Sequence, residues 1–386
     1  MKVDTMPPIY SSIKNKNADG LRGIACLAVA LTHFICAFLP TLLHNNYTTS
    51  FPPAAHPSPF VTIFSSPVMT LFYNGSFPVM IFFVLSGYVL ATPYYHPCRD
   101  SRRLHRRLSG RYLRLNIPIA ASVLISFLLY QCHGYFNIPA AKISGSTLWL
   151  NSFFHPGFSY VIALRDMLWA SLILGDSTFN TVYWSLKAEF LGSICLLIFY
   201  IIKPKGYRML FLLLSFILTY SLGKQTPLFL CDILLGSLLH IIPIPKKWHL
   251  PLFIIGIFFG AFQDGNSFYN TFPHVLPWHR QYFYDSIGAL LITAPIVQGF
   301  GTKFFQSRLL QFLGTISFPL YLLHFIVLAS FSCWLYLLLP QNPMTLCLNL
   351  ALYLLIAIRL SILFEKYIDQ PAIRFSHWVS FLLFKK

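Results

Sequence analysis

The chain has 386 residues, of which 56% are hydrophobic and only 10% charged, and its mean hydropathy is +0.63. A soluble domain carries about a quarter charged residues, so the composition excludes an ordinary soluble enzyme and predicts an all-α polytopic membrane protein. The net charge of +17 would point to nucleic acid in a soluble chain, but here the basic residues fall between apolar runs. Bilayer orientation and anionic headgroups account for them there, and no nucleic-acid partner is expected.

Apolar runs predict about ten transmembrane helices in a single bundle, near 21–40, 77–94, 113–131, 183–202, 209–223, 226–242, 250–262, 282–299, 316–339 and 345–364. A polar cytoplasmic segment, 1–18, precedes the membrane domain at 19–374, and a cytoplasmic tail occupies 375–386. The first run is expected to serve as an uncleaved anchor. Alternate connecting segments hold twenty Lys and Arg, and the opposite segments hold only Lys142, Arg165, Lys224 and Arg280. This asymmetry predicts ten crossings with both termini cytoplasmic. The apolar patch 159–175 carries Arg165 and Asp166 in its middle and is expected to be interfacial or re-entrant. The eight cysteines form no CxxC pair. They are expected to be packing residues, with no metal site and no disulfide framework.

The first run opens DGLRGIACLAVALTHF, with Arg22 and His33 eleven positions apart. Eleven steps are about three turns, so both lie on one helix face, their levels differing by roughly 16 Å. Ionisable residues within a span are functional candidates. The plainer alternative is an anchoring arginine and a histidine bonded to a neighbouring helix. The long loop 41–76, free of Lys and Arg, and the segment 132–182 are each either a lid over the membrane face or a spacer. In the second run, FPVMIFFVLSGYVLA, Ser86 and Gly87 mark either a close helix contact or a kink near ligand.

The densest basic run, CRDSRRLHRRLSGRYLRLNIP, follows. Arg111 and Arg114 share a helix face at its end, where guanidinium forks suit the phosphates of a cytoplasmic small molecule; headgroup contact is the other reading. In VYWSLKAEFLGS, Glu189 is placed at a depth comparable to His33, where a carboxylate could fix the tautomer of an imidazole. Trp184 and Ser185 stand one turn before it. Late in the chain Ser317, Tyr321 and His324 recur at steps of four and three and form a second polar stripe, either substrate-binding or structural. Asp232, Asp285 and Arg359 are expected to be structural partners. Pro371 is expected to stop any helix after the last run.

Five of these stretches, DGLRG…THF, FFVLSGYVL, RYLRLNIP, YWSLKAEF and LGTISFPLYLLH, occur in the order found in the integral-membrane acyltransferase-3 family, which the chain resembles from about Asp19 to Arg374. The arginine, ten residues and histidine of the family are Arg22 and His33 here. A late glutamate–proline pair is loosened to Glu365 and Pro371. The resemblance implies transfer of an acetyl or other short acyl group from acyl-CoA to a sugar hydroxyl of a surface polysaccharide or its lipid-linked precursor, in a bacterial inner membrane. On that reading His33 is general base or acyl carrier, Arg22 positions the donor or stabilises charge on the thioester oxygen, and Glu189 orients a histidine or a sugar hydroxyl. Arg111 and Arg114 would hold the CoA phosphates. The expected partners are acyl-CoA, a free or lipid-linked carbohydrate acceptor and membrane lipids. The alternative is a transporter or flippase of an anionic or lipid-linked substrate using the same stripe.

Overall fold

The computed structural model describes residues 15–95, 101–155, 157–204, 206–274 and 279–383. Most of the N-terminal segment, Cys98–Asp100 of the basic run and the last three residues of the tail lie outside the described residues, as do the side chains of Arg102 and Arg103.

Among the described residues the regular structure is helical, with no strand. Helices stand at the ten expected places: α1 (Lys16–Phe38), α2 (Ser76–Tyr95), α3 (Ser101–Gln131), α4 (Tyr183–Ile201), α5 (Tyr207–Leu222), α6 (Thr226–Leu238), α7 (His249–Gly260), α8 (Arg280–Val297), α9 (Arg308–Leu338) and α10 (Pro343–Leu383). Six of them, α1 to α4 with α9 and α10, are long and apolar enough to cross a membrane. The apolar α5 and α6 are shorter. At about 1.5 Å per residue the twelve residues of α7 cover roughly 18 Å of a ~30 Å core. The first two turns of α8 carry Arg280, Gln281 and Asp285.

Pro371 does not stop the last helix. A π turn at Glu365–Asp369 precedes it, and the helix runs on through Gln370–Leu383. The widened turn has already interrupted the regular i→i−4 ladder, so the missing N–H and the ring are accommodated.

Contacts fix two ends of the bundle. At one, Asn15 and Asn17 beside the start of α1 donate to Val297 O and Ile296 O (both 2.8 Å) at the close of α8, and Arg107 donates to Val89 O (2.9 Å) near the close of α2. At the other, Asn74 before α2 donates to Gly260 O (2.9 Å) at the close of α7 and to Asp285 (3.0 Å). The first is the basic end, the second the lid end. Asp285 also accepts from Ser76 (2.5 Å) and Gln281 (3.1 Å), and Asp232 accepts from Ser286 (2.8 Å), so both acids are structural partners as expected.

Both long connections fold over the lid end. Ser146 donates to Cys36 O (2.7 Å), and Asn137 donates to Leu150 O and Phe153 O, which shapes the turn carrying Trp149. Phe51, from the first loop, lies against Trp149. Burial pushes the Tyr47 phenol well above its ordinary value, so it remains a hydroxyl and bonds Ser76 (3.1 Å).

The patch 159–175, expected to be interfacial or re-entrant, dips into the bundle and returns. It starts near the lid end, where Gly157 N donates to Tyr130 (3.0 Å), and descends along α3 until Asn116 bonds Met167 O and Leu168 O. The chain then returns, and Phe179 O accepts from Ser126 (2.9 Å).

The tightest packing joins α1 to α9, side by side and parallel. A Cβ on Gly23 would lie 2.7 Å from Gly314 N, and one on Gly314 would lie 2.4 Å from Asp19 O. Cys26 Sγ donates to Ser317 O (3.0 Å), and His33 meets His324 (2.8 Å). All three pairs share the same offset of 291 residues. The two helices therefore stay in register over three turns. In a bilayer such close backbone approach replaces the hydrophobic drive available in water.

Gly23→Val and Gly314→Val should each destabilise the protein by about 1–3 kcal/mol, the scale of overpacking in a close-packed interface. Thermal midpoints of the purified protein in detergent check this; midpoints unchanged in both variants would show that the glycines do not set the contact.

Candidate active site

His33 lies five residues before the end of α1, directly after Thr32, whose hydroxyl donates to Tyr73 O (2.8 Å). This places it toward the lid end. Its half-buried ring packs against Trp149 (centroids 5.4 Å) and Phe325 (5.6 Å) and lies close to His324 (5.0 Å). His324 is fully buried. Its Nδ1 lies 2.8 Å from Leu320 O, and its Nε2 lies 2.8 Å from His33 Nδ1. A carbonyl only accepts, so His324 Nδ1 carries a proton. In the neutral pair His324 Nε2 is then an acceptor, and His33 Nδ1 must be the donor. His33 Nε2 is left with its lone pair unused by this chain of bonds.

Glu189 does not serve the histidines. It accepts from Ser86 Oγ and from Arg111 Nη2, both at 2.8 Å. Arg111 Nε donates to Ser193 Oγ (2.8 Å), so the guanidinium is fixed from two sides. The comparable depth expected for Glu189 and His33 fails for a geometric reason. The connection into α4 dips into the bundle, so Tyr183 already packs at Ser122 (2.7 Å). Ser185 meets Tyr321 at 2.6 Å. Glu189 lies four residues toward the basic end from that contact, and His324 three residues toward the lid end. About 10 Å along the axis therefore separates the carboxylate from the imidazoles.

Arg114 pairs with Asp369 (2.6 Å) on α10 and lies over the Phe318 ring (5.4 Å). Arg22 sits 3.5 Å from Asp19, one turn back on its own helix, and within Coulombic range of Arg111. The two arginines assigned to phosphate thus each have a carboxylate partner. Among the described residues Arg111 Nη1 has no hydrogen-bond partner.

The remaining stripe residues divide. Ser185 donates to Val182 O (2.8 Å), so its oxygen accepts the Tyr321 hydroxyl proton and ties α4 to α9. The Ser317 hydroxyl donates to Gly314 O (2.9 Å) and closes a local turn. Trp184 borders a cavity of about 160 Å³ with Lys187, Thr226 and Phe229. Gly87 abuts the Ile233 backbone, where a Cβ would lie 1.8 Å from the carbonyl oxygen, which favours the close-contact reading. Among the described residues no group of three or more His, Cys, Asp and Glu could hold a metal.

Sequence reasoning missed Trp149, Ser193 and Asp369. A lone acid in YIDQP offered a hint for Asp369 as an arginine partner. Trp149 and Ser193 carried no signal, because loop packing and a hydroxyl on a helix are read only from three-dimensional placement. From basic end to lid end, the arginine–carboxylate pairs, the Ser185–Tyr321 link and the histidine pair under Trp149 make one polar ladder.

Comparison with known proteins gives two findings. The family profile described as "Acyltransferase domain" matches residues 15–366. The protein named Acyltransferase R4 of Phoma sp. is 22% identical over 277 residues, an alignment covering 58% of this chain and 57% of that protein. The chain is thus matched to little more than half of that relative's length. No solved structure matches the chain.

Replacing Arg111 by Met would leave Glu189 mostly buried without its cation, a loss of about 3–5 kcal/mol for a broken buried pair. The double change Arg111→Met with Glu189→Met should recover more than half of that loss. Denaturation midpoints of the three proteins check this, and additive losses would show that the two groups are not coupled.

Proposed function

The chain belongs to the acyltransferase-3 family, and from that premise we propose that it moves a short acyl group, acetyl in the first case, from acyl-CoA to a sugar hydroxyl of a free or lipid-linked surface polysaccharide. The observation that carries the reaction class to named atoms is the unused lone pair of His33 Nε2. Of the four ring nitrogens of the pair it is the one outside these bonds, and its ring packs against Trp149 of the segment folded over the lid end.

In the proposed reaction His33 Nε2 takes the acceptor hydroxyl proton as that oxygen attacks the thioester carbonyl carbon. The carbon–sulfur bond breaks, the ester forms, and the proton passes to the departing CoA sulfur. General-base help of this kind contributes about 10²–10⁴-fold. Arg22 lies roughly 16 Å from His33 along α1, too far to steady charge at the same carbonyl, so its proposed role is to position the donor. Arg111 and Arg114 would meet the CoA phosphates with the N–H groups their carboxylates leave open. Glu189 holds Arg111 in place.

The proposed topology has ten crossings, four of them by the shorter or more polar helices α5 to α8, with both termini and the basic end at the cytoplasm of a bacterial inner membrane. The excess of basic residues in alternate segments supports it. Acyl-CoA would then enter from the basic end and the acceptor from the lid end.

Release of CoA thiol by membranes containing the protein, acetyl-CoA and an oligosaccharide acceptor tests the reaction. His33→Ala should lower the rate at least about 10²-fold at equal protein abundance. Arg111→Lys with Arg114→Lys keeps the charge but loses the planar fork, so the acetyl-CoA requirement should rise on the order of ten- to a hundredfold while the acceptor requirement moves little. Normal thiol release by the His33 variant would refute the assignment of the base. An acetyl-CoA requirement unchanged in the double lysine variant would remove the donor site from these arginines.

A further inference from the structure

We propose that His324 is a positioning residue that sets the tautomer of His33 and shares its charge during turnover; this rests on His33 acting as the base. His324 does not qualify to touch substrate. It is fully buried and both ring nitrogens are engaged, one by Leu320 O and the other by His33. Its bonds have a direction. The Leu320 carbonyl fixes the proton of His324 on Nδ1, so His324 Nε2 can only accept. That holds the proton of His33 on Nδ1 and keeps Nε2 bare. Without the acceptor, His33 is free to place its proton on Nε2, the nitrogen that has to receive one, and would then be an ineffective base.

The same bond serves the charged intermediate. When His33 Nε2 takes the acceptor proton the ring becomes a cation, and its Nδ1 proton faces a neutral imidazole nitrogen at 2.8 Å. A charge-assisted bond of this kind is stronger than the neutral one, and the positive charge extends over two rings. When His33 Nε2 gives its proton to the CoA sulfur, both rings return to their starting forms. No net proton stays on the pair. The fixed register of α1 and α9 makes this possible, since the histidines stand at the same 291-residue offset as the Cys26–Ser317 bond. The Tyr321 hydroxyl is committed to Ser185 and does not compete for His324.

Two substitutions separate this role from plain packing. His324→Leu fills the space but offers no acceptor. His324→Gln offers a side-chain oxygen that can accept from His33 Nδ1. The Leu variant should lose about 10²-fold in kcat with the KM for acetyl-CoA changed by less than about threefold, and the Gln variant should return to within about tenfold of the parent. ¹⁵N spectra of histidine-labelled protein in nanodiscs read the tautomer directly. The parent should show His33 protonated at Nδ1, and the Leu variant should show a shift of that proton toward Nε2. A parent protein with His33 protonated at Nε2 would overturn the proposal even if neither variant folds. Unchanged kcat in the Leu variant, or a folded Gln variant no better than the Leu variant, would overturn it as well. Failure of this inference is distinguishable from failure of the base assignment. If His33→Ala abolishes turnover while His324→Leu does not affect it, only the role of His324 falls; if His33→Ala is also without effect, the base assignment falls with it.

Discussion

The parallel contact of α1 and α9 is the constraint on which the rest of the site depends. Gly23 and Gly314 remove the side chains that would keep the backbones apart, and the Cys26–Ser317 bond holds the same offset one turn on. Two more turns carry that register to His33 and His324. A slip of one residue would rotate the rings by about 100° relative to each other and break the bond between them. The small residues at one end of the helix pair and the imidazoles at the other are parts of one device, and the packing energy is used to place two nitrogen atoms.

The rest of the polar ladder follows the rule that a charge inside an apolar bundle needs a partner. Arg111 has Glu189 and Arg114 has Asp369. Each pair links helices distant in sequence, so the ions that could serve a substrate also fasten α3 to α4 and α3 to α10. Ser86 completes the first pair from α2. These pairs lie toward the basic end, and the histidines lie toward the lid end. The protein therefore keeps its fixed charges away from the proposed proton-transfer centre, and the proposed donor and acceptor would each approach from a different end.

Much of this was legible in the sequence, and the gaps have physical causes. Apolar runs located the helices because a bilayer demands long uninterrupted hydrophobicity. The same signal placed helix ends poorly where helices continue through polar ground. From Ser101 the basic run preceding Arg111 is already helix, and α10 extends past Pro371 through a π turn. Helical spacing put Arg22 and His33 on one face and Ser317, Tyr321 and His324 on another, but spacing within a helix says nothing about which faces meet. Glu189 was given the wrong neighbour because depth was counted from the start of its helix, and that start is itself sunk below the bundle end. The glycines of DGLRG and LGTIS held the missing information. With α1 set beside α9, their offset, shared by Cys26 and Ser317, fixes the register that brings the histidines together.

A histidine base is more often oriented by a carboxylate, and a second imidazole beside His33, the proposed base, has a physical reason. A carboxylate 2.8 Å from His33 would be an ion at rest in an apolar bundle, and its desolvation would have to be offset in every resting molecule. The neutral pair carries no charge until the reaction creates one. Its cost is a weaker pull on the cation during turnover, partly compensated by spreading the charge over two rings. The acidic groups of the ladder fit the same logic, since Glu189 and Asp369 each face an arginine that is charged at all times. Permanent charge is matched with permanent charge, and the centre proposed to change its charge is built from groups that rest neutral.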